Sequence, residues 1–168
     1  MILRSLFFIF LYIPFLIVFI PLQFIVTRLG LSWNFIPRWF HTMGCIFLAM
    51  KVNVVGEPSH DRPTLIVSNH ISWTDIIAVG SKADVTFVAK SEIAKWPFVG
   101  FMASLQRTLY VDRKRRGDAH RASQEMGKRI AAGGAVLLFG EGQSDIGTHV
   151  LPFRSALIGA AQHAMEAA

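Results

Sequence analysis

Four short stretches of this 168-residue chain combine residue types that can do chemistry. The first is Ser68-Asn69-His70-Ile71-Ser72-Trp73-Thr74-Asp75, in which an imidazole is followed five residues later by a carboxylate. A histidine whose second ring nitrogen is held by a carboxylate is a positioned general base, able to take a proton from a hydroxyl as that hydroxyl attacks a carbonyl. The same residues also read as a helix start, with Ser72 to Asp75 forming a capping box and His70 merely closing a turn. Composition alone leaves both readings open. The second stretch, Arg107-Thr108-Leu109-Tyr110-Val111-Asp112-Arg113, runs into Lys114-Arg115-Arg116. An arginine at a strand end can grip a phosphate through two parallel hydrogen bonds, whereas Lys114 to Arg116 read equally as solvated surface charge. The third, Phe139-Gly140-Glu141-Gly142, is a strand ending in a glycine-rich loop. Its backbone N–H groups can approach an anion or a substrate hydroxyl, although an ordinary tight turn has the same composition. The fourth, Val150-Leu151-Pro152-Phe153, reads as a packed edge strand.

These stretches need a scaffold, and the chain after Lys51 supplies one. Short β-branched runs at residues 52–55, 64–68, 85–89, 108–112, 135–139 and 150–153 alternate with helical patterns at 74–81, 96–105 and 117–132. The last helix places Ala119, Ala122, Met126 and Ile130 on one apolar stripe. Such alternation predicts an α/β fold, a mixed, largely parallel sheet flanked by helices, over residues 51–168. His70 then sits at the mouth of the sheet, where ligands of open α/β folds gather.

Residues 1–50 are of a different kind. Up to residue 56 there is no Asp or Glu, and residues 5–27 carry no formal charge between Arg4 and Arg28. That run is long enough to cross a bilayer core as a helix, while Pro14 and Pro21 predict a kink or a re-entrant dip. A cleavable signal peptide fits poorly, because the run is too long and no small-residue cleavage site follows it. Residues 33–50 read as a helix in the headgroup region, with Trp33, Arg38, Trp39 and His41 on its polar or interfacial side. The expectation is a membrane-associated helical pair.

Composition excludes several classes of function. A chain that is 52% hydrophobic and 17% charged is not disordered, and the single cysteine, Cys45, rules out a disulfide scaffold. The six histidines show no pair at zinc-ligand spacing, so no metal site is expected. The net charge of +6 gathers around Arg107 to Arg129 and, beside an apolar anchor, fits anionic lipid headgroups. No stacking or groove-reading motif accompanies it, so nucleic acid is not an expected partner.

Taken in order, the four stretches resemble the glycerolipid acyltransferase family, whose best-known members are the bacterial lysophosphatidic acid acyltransferases. Asn69, His70 and Asp75 match its Asn-His-x-x-x-x-Asp block, the most specific of its motifs. Tyr110 to Arg113 is similar to its second block, Gly140 to Gly142 to its Pro-Glu-Gly-Thr block, and Leu151 to Phe153 to its proline-containing fourth block. Phe87-Val88-Ala89-Lys90 and Pro97-Phe98-Val99-Gly100 match stretches that lie between the first two, and the resemblance covers residues 54–161.

The resemblance implies transfer of a fatty acyl group from acyl-CoA or acyl carrier protein to the free hydroxyl of lysophosphatidic acid, with no cofactor beyond the acyl-donor substrate. In that scheme His70 deprotonates the hydroxyl, Asp75 holds the imidazole and Arg113 binds the phosphate. Glu141 and Gly142 position the glycerol, and Asn69 and Lys90 join them in binding substrate. Another lyso-lipid acceptor, such as lyso-ornithine lipid, or a silent membrane-binding role are the alternatives. The implied location is the bacterial inner membrane, with the catalytic domain on the cytoplasmic side. Two departures accompany the match. Gly140 and Gln143 stand where the family has proline and threonine, so the loop is expected to be looser and Gly140→Pro to tighten it. Family members also continue beyond the fourth block, so the α/β domain is expected to be incomplete at its C-terminus, with weakened activity.

Overall fold

A computed structural model of the protein describes residues 2–31, 34–57, 59, 63–112, 116–154, 158, 159, 162 and 166. The chain forms two compact units, Met1–Glu57 with Ile76–Asp84, and Pro58–Asp75 with Val85–Ala168.

The first unit is helical. Helix α1 (Ile2–Phe7) passes through a π-helical turn (Phe8–Tyr12) into α2 (Ile13–Arg28). In the wide turn the Ile13 N–H donates to the Phe8 carbonyl, five residues back. The cause lies one residue further on: Pro14 has no N–H to offer and its ring would collide with the carbonyl of Phe10. The expected interruption is thus absorbed within a continuous helical run. Residues Ser5–Arg28 form a predominantly apolar helix of 24 residues, about 36 Å at ~1.5 Å per residue, against a hydrocarbon core of about 30 Å. The hydroxyl of Thr27 donates to the Gln23 carbonyl at 2.9 Å, which satisfies a polar group inside this apolar helix. Gly30 ends it at φ +68°, with Leu31 N–H donating to the Val26 carbonyl and Gly30 N–H to that of Thr27. That pairing is a Schellman motif, and its left-handed residue favours glycine.

Helix α3 (Phe35–Phe47) buries Pro37, His41, Gly44 and Cys45, a stripe at i, i+4, i+7 and i+8. Arg38 and Trp39 are exposed as expected, and Trp33 lies outside the described residues. His41 corrects the sequence reading, which placed it on the polar side: it is only 2% exposed. Its ring lies against Gly80 so closely that a β-carbon at position 80 would collide with it, and Cys45 directs its thiol at the Ile77 carbonyl. Gly80 belongs to α4 (Thr74–Gly80), and a helical wheel of α3 alone has no means of showing that a partner glycine makes room for an imidazole.

The second unit carries a four-stranded sheet of β1 (Thr64–Ser68), β2 (Thr86–Lys90), β3 (Leu109–Val111) and β4 (Ala135–Phe139). Its order is β1-β4-β2-β3, and every pairing is parallel. All five residues of β4 are buried, as befits a central strand covered on both faces. Val136 and Leu138 point with Val88, Leu109 and Val111 toward Ala122, Met126 and Ile130 of α6 (Arg116–Ala131). The expected helical stripe is therefore the core contact, although the side chain of Ala119 lies outside what is described. Asp118 accepts the Asp112 N–H and pairs with Arg121, and Lys128 pairs with Glu125 at 2.7 Å. The Lys128 ammonium holds the Glu125 carboxyl below its ordinary range, so part of the basic cluster is internally offset.

Three sequence expectations differ from the fold. Residues 96–105 are split: a 3-10 turn (Ser91–Lys95) is followed by α5 (Val99–Leu105), with Phe98 at φ +60° between them. Gly100 packs against the Ala94 carbonyl, where a β-carbon has no room, and the Tyr110 hydroxyl donates to the Gly100 carbonyl at 3.2 Å. Burial pushes the Tyr110 phenol above its ordinary value, which keeps it a donor. Residues 52–55 form no strand; they belong to the helical unit, and Val55 is 99% exposed. Residues 150–153 form none either. Pro152 has no N–H for a ladder, and the flanking N–H groups of Leu151 and Arg154 donate to the Glu141 side chain and the Gly140 carbonyl.

Met126 is 2% exposed at the centre of the α6 contact. Met126→Ala should cost about 2–5 kcal/mol through lost transfer energy and a residual cavity. Lys128→Ala, on the solvent side, should stay within about 0.5 kcal/mol. Thermal unfolding in detergent compares the two.

Candidate active site

Strands β1 and β4 are parallel neighbours whose last pair is Ser68 with Phe139. The Gly140 N–H extends the ladder by donating to the Ser68 carbonyl at 2.9 Å. Two residues beyond the last pair stand His70 on one strand and Glu141 on the other, and the His70 N–H donates to Glu141 Oε2 at 2.6 Å. The second oxygen, Oε1, accepts the Leu151 N–H at 2.7 Å. Arg154 reaches the same residue from outside, its Nε donating to the Glu141 carbonyl at 3.1 Å. Glu141 is only 3% exposed. A buried carboxylate is tolerated when donors replace its water, and here each oxygen has a backbone N–H.

The imidazole is held by a carboxylate at its edge and by an aromatic ring against its face. Its Nδ1 lies 2.9 Å from Asp75 Oδ2, and the same oxygen accepts the N–H groups of Ile71 at 2.6 Å and Ser72 at 2.9 Å. Ser72 Oγ in turn accepts the Thr74 N–H at 3.1 Å. The cap and the carboxylate–imidazole pair, alternatives on sequence grounds, are thus one structure. An ionised carboxylate only accepts, so Nδ1 carries the proton and Nε2 is the basic nitrogen. The Phe139 ring stacks on the imidazole with centroids 4.0 Å apart and planes at 18°, and the Asp145 N–H donates to the His70 carbonyl at 3.1 Å. The tautomer and the ring plane are thereby set, the arrangement that general-base chemistry requires.

The remaining site residues fall in different places. Asn69 precedes His70 and is half-buried, its carbonyl accepting the Ser68 hydroxyl at 3.0 Å. Gly142 is buried beside Glu141 at φ +73°, and its N–H donates to the Phe139 carbonyl at 3.1 Å. Lys90 ends β2, separated from β1 by β4. Arg113, expected to bind phosphate, lies outside the described residues. Four contributors escaped the sequence reading: Phe139 under the imidazole, Leu151 and Arg154 around Glu141, and the Asp145 backbone. A signal for Leu151 existed, because the fourth stretch carries a proline that forbids ladder pairing and so calls for another partner.

Gly140 reverses the expectation of a loose loop. Its N–H is committed to Ser68, and a β-carbon there would fall 2.8 Å from the Phe153 ring. Gly140→Pro would abolish that bond and displace the ring, and is expected to lower the unfolding midpoint. Glu141→Ala would strand two N–H groups, at about 1–3 kcal/mol for each one left buried. Hydrogen exchange should then quicken at the His70 and Leu151 amides while β2 and α6 keep their protection.

Comparison with known proteins agrees with this geometry. The sequence matches the family described as Acyltransferase over residues 51–167. The lyso-ornithine lipid O-acyltransferase of Brucella abortus is 40% identical over 150 residues, covering 89% of this chain and 56% of that protein. The 1-acyl-sn-glycerol-3-phosphate acyltransferase of Neisseria gonorrhoeae is 33% identical over 105 residues, covering 61% of this chain and 41% of that one. The chain spans about half the length of the curated relatives it matches. The crystal structure of the 1-acyl-sn-glycerophosphate (LPA) acyltransferase PlsC from Thermotoga maritima superposes with a TM-score of 0.66 at 25% identity, over 95% of this chain and 68% of that one. With most of the chain inside the matched region and the histidine–aspartate pair assembled at the sheet edge, the chain belongs to the acyltransferase family.

Proposed function

We propose that this chain carries the catalytic base of an O-acyltransferase that moves a fatty acyl group from a CoA or acyl-carrier-protein thioester to the free hydroxyl of a lyso-lipid. The observation that carries the reading is the 2.9 Å contact of His70 Nδ1 with Asp75 Oδ2, which leaves Nε2 as the base. Nε2 takes the hydroxyl proton as the oxygen attacks the thioester carbonyl. The tetrahedral intermediate collapses with cleavage of the C–S bond, and the departing thiolate recovers the proton from the imidazolium. Asp75 stabilises that imidazolium, and no acyl-enzyme is formed. Glu141 acts through His70 as a positioning residue, since both its oxygens already hold backbone N–H groups. Asn69, Lys90, Arg113 and Gly142 are the candidates for contact with the acceptor.

For the acceptor we favour lyso-ornithine lipid, supported by the 40% identity to the Brucella abortus enzyme across 89% of this chain. Lysophosphatidic acid is the second reading, supported by Arg113 at the end of a block similar to the family's second motif and by the likeness to the Thermotoga maritima fold.

Purified full chain in detergent, given labelled acyl-CoA or acyl carrier protein and a panel of lyso-lipids, should form an ester with lyso-ornithine lipid faster than with lysophosphatidic acid. His70→Ala should cut turnover by about two to four orders of magnitude with acceptor binding retained, and Asp75→Asn should cut it less. Folded protein inactive with every donor and acceptor would mark a silent membrane-binding member, and a reversed preference would assign lysophosphatidic acid.

A further inference from the structure

The segment after β4 returns to the site twice, and each time it leaves a charged side chain there. The Asp145 N–H donates to the His70 carbonyl at 3.1 Å, and Arg154 Nε donates to the Glu141 carbonyl at 3.1 Å. His70 and Glu141 are themselves joined at 2.6 Å. A carboxylate and a guanidinium thus stand one hydrogen bond from either half of the same pair. Among the described residues they form no ion pair with each other.

Both side chains are placed by other bonds and left open to a ligand. Asp145 is held by its backbone, in a loop that turns through Gly147 at φ +80° and packs so closely on Ile71 that a β-carbon at 147 would lie 3.0 Å from it. The other carboxylates here are engaged: both oxygens of Glu141 accept backbone N–H groups, and Asp75 Oδ2 accepts two beside the imidazole. Asp145 Oδ2 is shielded from solvent with no hydrogen-bond partner among the described residues. The His149 ring, 60% exposed, lies 3.5 Å from it, beyond the usual hydrogen-bond range. A carboxylate partly withdrawn from water and short of donors is stabilised by an incoming cation. The Asp145 side chain is 25% exposed, which leaves it reachable. Arg154 is exposed, and its terminal nitrogens have no hydrogen bond or ion pair among the described residues. A guanidinium anchored at Nε presents those two nitrogens as a fork for a carboxylate or phosphate.

We infer that Asp145 and Arg154 recognise a zwitterionic acceptor headgroup, Asp145 taking its ammonium and Arg154 its carboxylate. The assignment rests on the lyso-lipid reading above and deepens it. Ornithine joined to its lipid through one amine keeps one ammonium and one carboxylate, the complement of this pair. A phosphate monoester carries negative charge alone, so Arg154 attracts it and Asp145 repels it, which gives discrimination an attractive and a repulsive element.

Equilibrium binding to the full chain in detergent, without acyl donor, tests this apart from turnover. The probes are lyso-ornithine lipid, the same lipid with its free amine acetylated, and the same lipid with its carboxylate methylated. Asp145→Asn keeps the N–H on His70; it should weaken the parent lipid about tenfold and barely move the acetylated one. Arg154→Gln should weaken the parent about tenfold and barely move the methyl ester, with Arg154→Lys recovering part of the loss. Lysophosphatidic acid should bind the Asp145→Asn chain at least as tightly as the original. In either variant, equal losses for parent and capped lipid, or no loss at all, would overturn the assignment, since charge at the headgroup would then be irrelevant. If the original chain still forms ester with lyso-ornithine lipid, that result leaves the acyl-transfer reading standing. A folded chain that neither binds nor acylates this lipid overturns the acceptor reading together with the assignment.

Discussion

The parallel pairing of β1 with β4 decides where chemistry can take place. Neither strand contains a catalytic group; what they contribute is a register, Ser68 opposite Phe139, and a common direction of exit. Two residues past that last pair a backbone N–H on one strand meets a carboxylate on the other. A slip of one residue would turn each side chain to the opposite face of the sheet. It would separate His70 from Glu141 and take the Phe139 ring out from under the imidazole. The apolar residues of β4 that fix the register against α6 are therefore as much a part of the site as the histidine.

Two carboxylates stand beside His70 and they do different work. Asp75 touches the ring and also gathers the N–H groups of Ile71 and Ser72, so it sets the tautomer and starts α4 with one oxygen. Glu141 touches no ring. It joins the loop after β1 to the segment around Leu151 through one oxygen each, and its burial makes both bonds costly to lose. The site is held by backbone donors converging on side-chain acceptors. Such an arrangement resists rotation of the imidazole without placing a second ionisable group against it.

The alternation of short apolar strands with helical patterns was legible in the sequence. Residues 64–68 and 135–139 form strands as read, and the stripe of Ala122, Met126 and Ile130 faces the sheet. These features depend on local periodicity, which a sequence displays directly. The pairing of His70 with Asp75 was legible as one of two meanings of the same spacing. What was not legible depends on partners distant in sequence. Residues 150–153 have the composition of a strand, yet Pro152 has no N–H and the Leu151 N–H is claimed by Glu141, ten positions earlier. His41 looked interfacial until Gly80, 39 positions later, made room for its ring. Gly140 looked like slack in a loop because the Phe153 ring it accommodates is invisible to local pattern.

A parallel sheet imposes one further condition on any site built where its strands end. All its strands release their chain at one end, so the loops that carry the hydrogen-bonded polar groups and the loops that carry exposed apolar side chains are the same loops. In this chain the segment after β1 carries His70 and Asp75 together with exposed Ile71 and Trp73, and the segment after β4 carries Glu141 together with exposed Ile146 and Val150. Within each segment the polar groups that bind one another are drawn inward by their hydrogen bonds. The large apolar ones remain exposed. An antiparallel sheet would send alternate loops to opposite ends and divide these two sets. Here topology alone places the half-buried His70 and the exposed Ile71 and Trp73 within a few residues of one another.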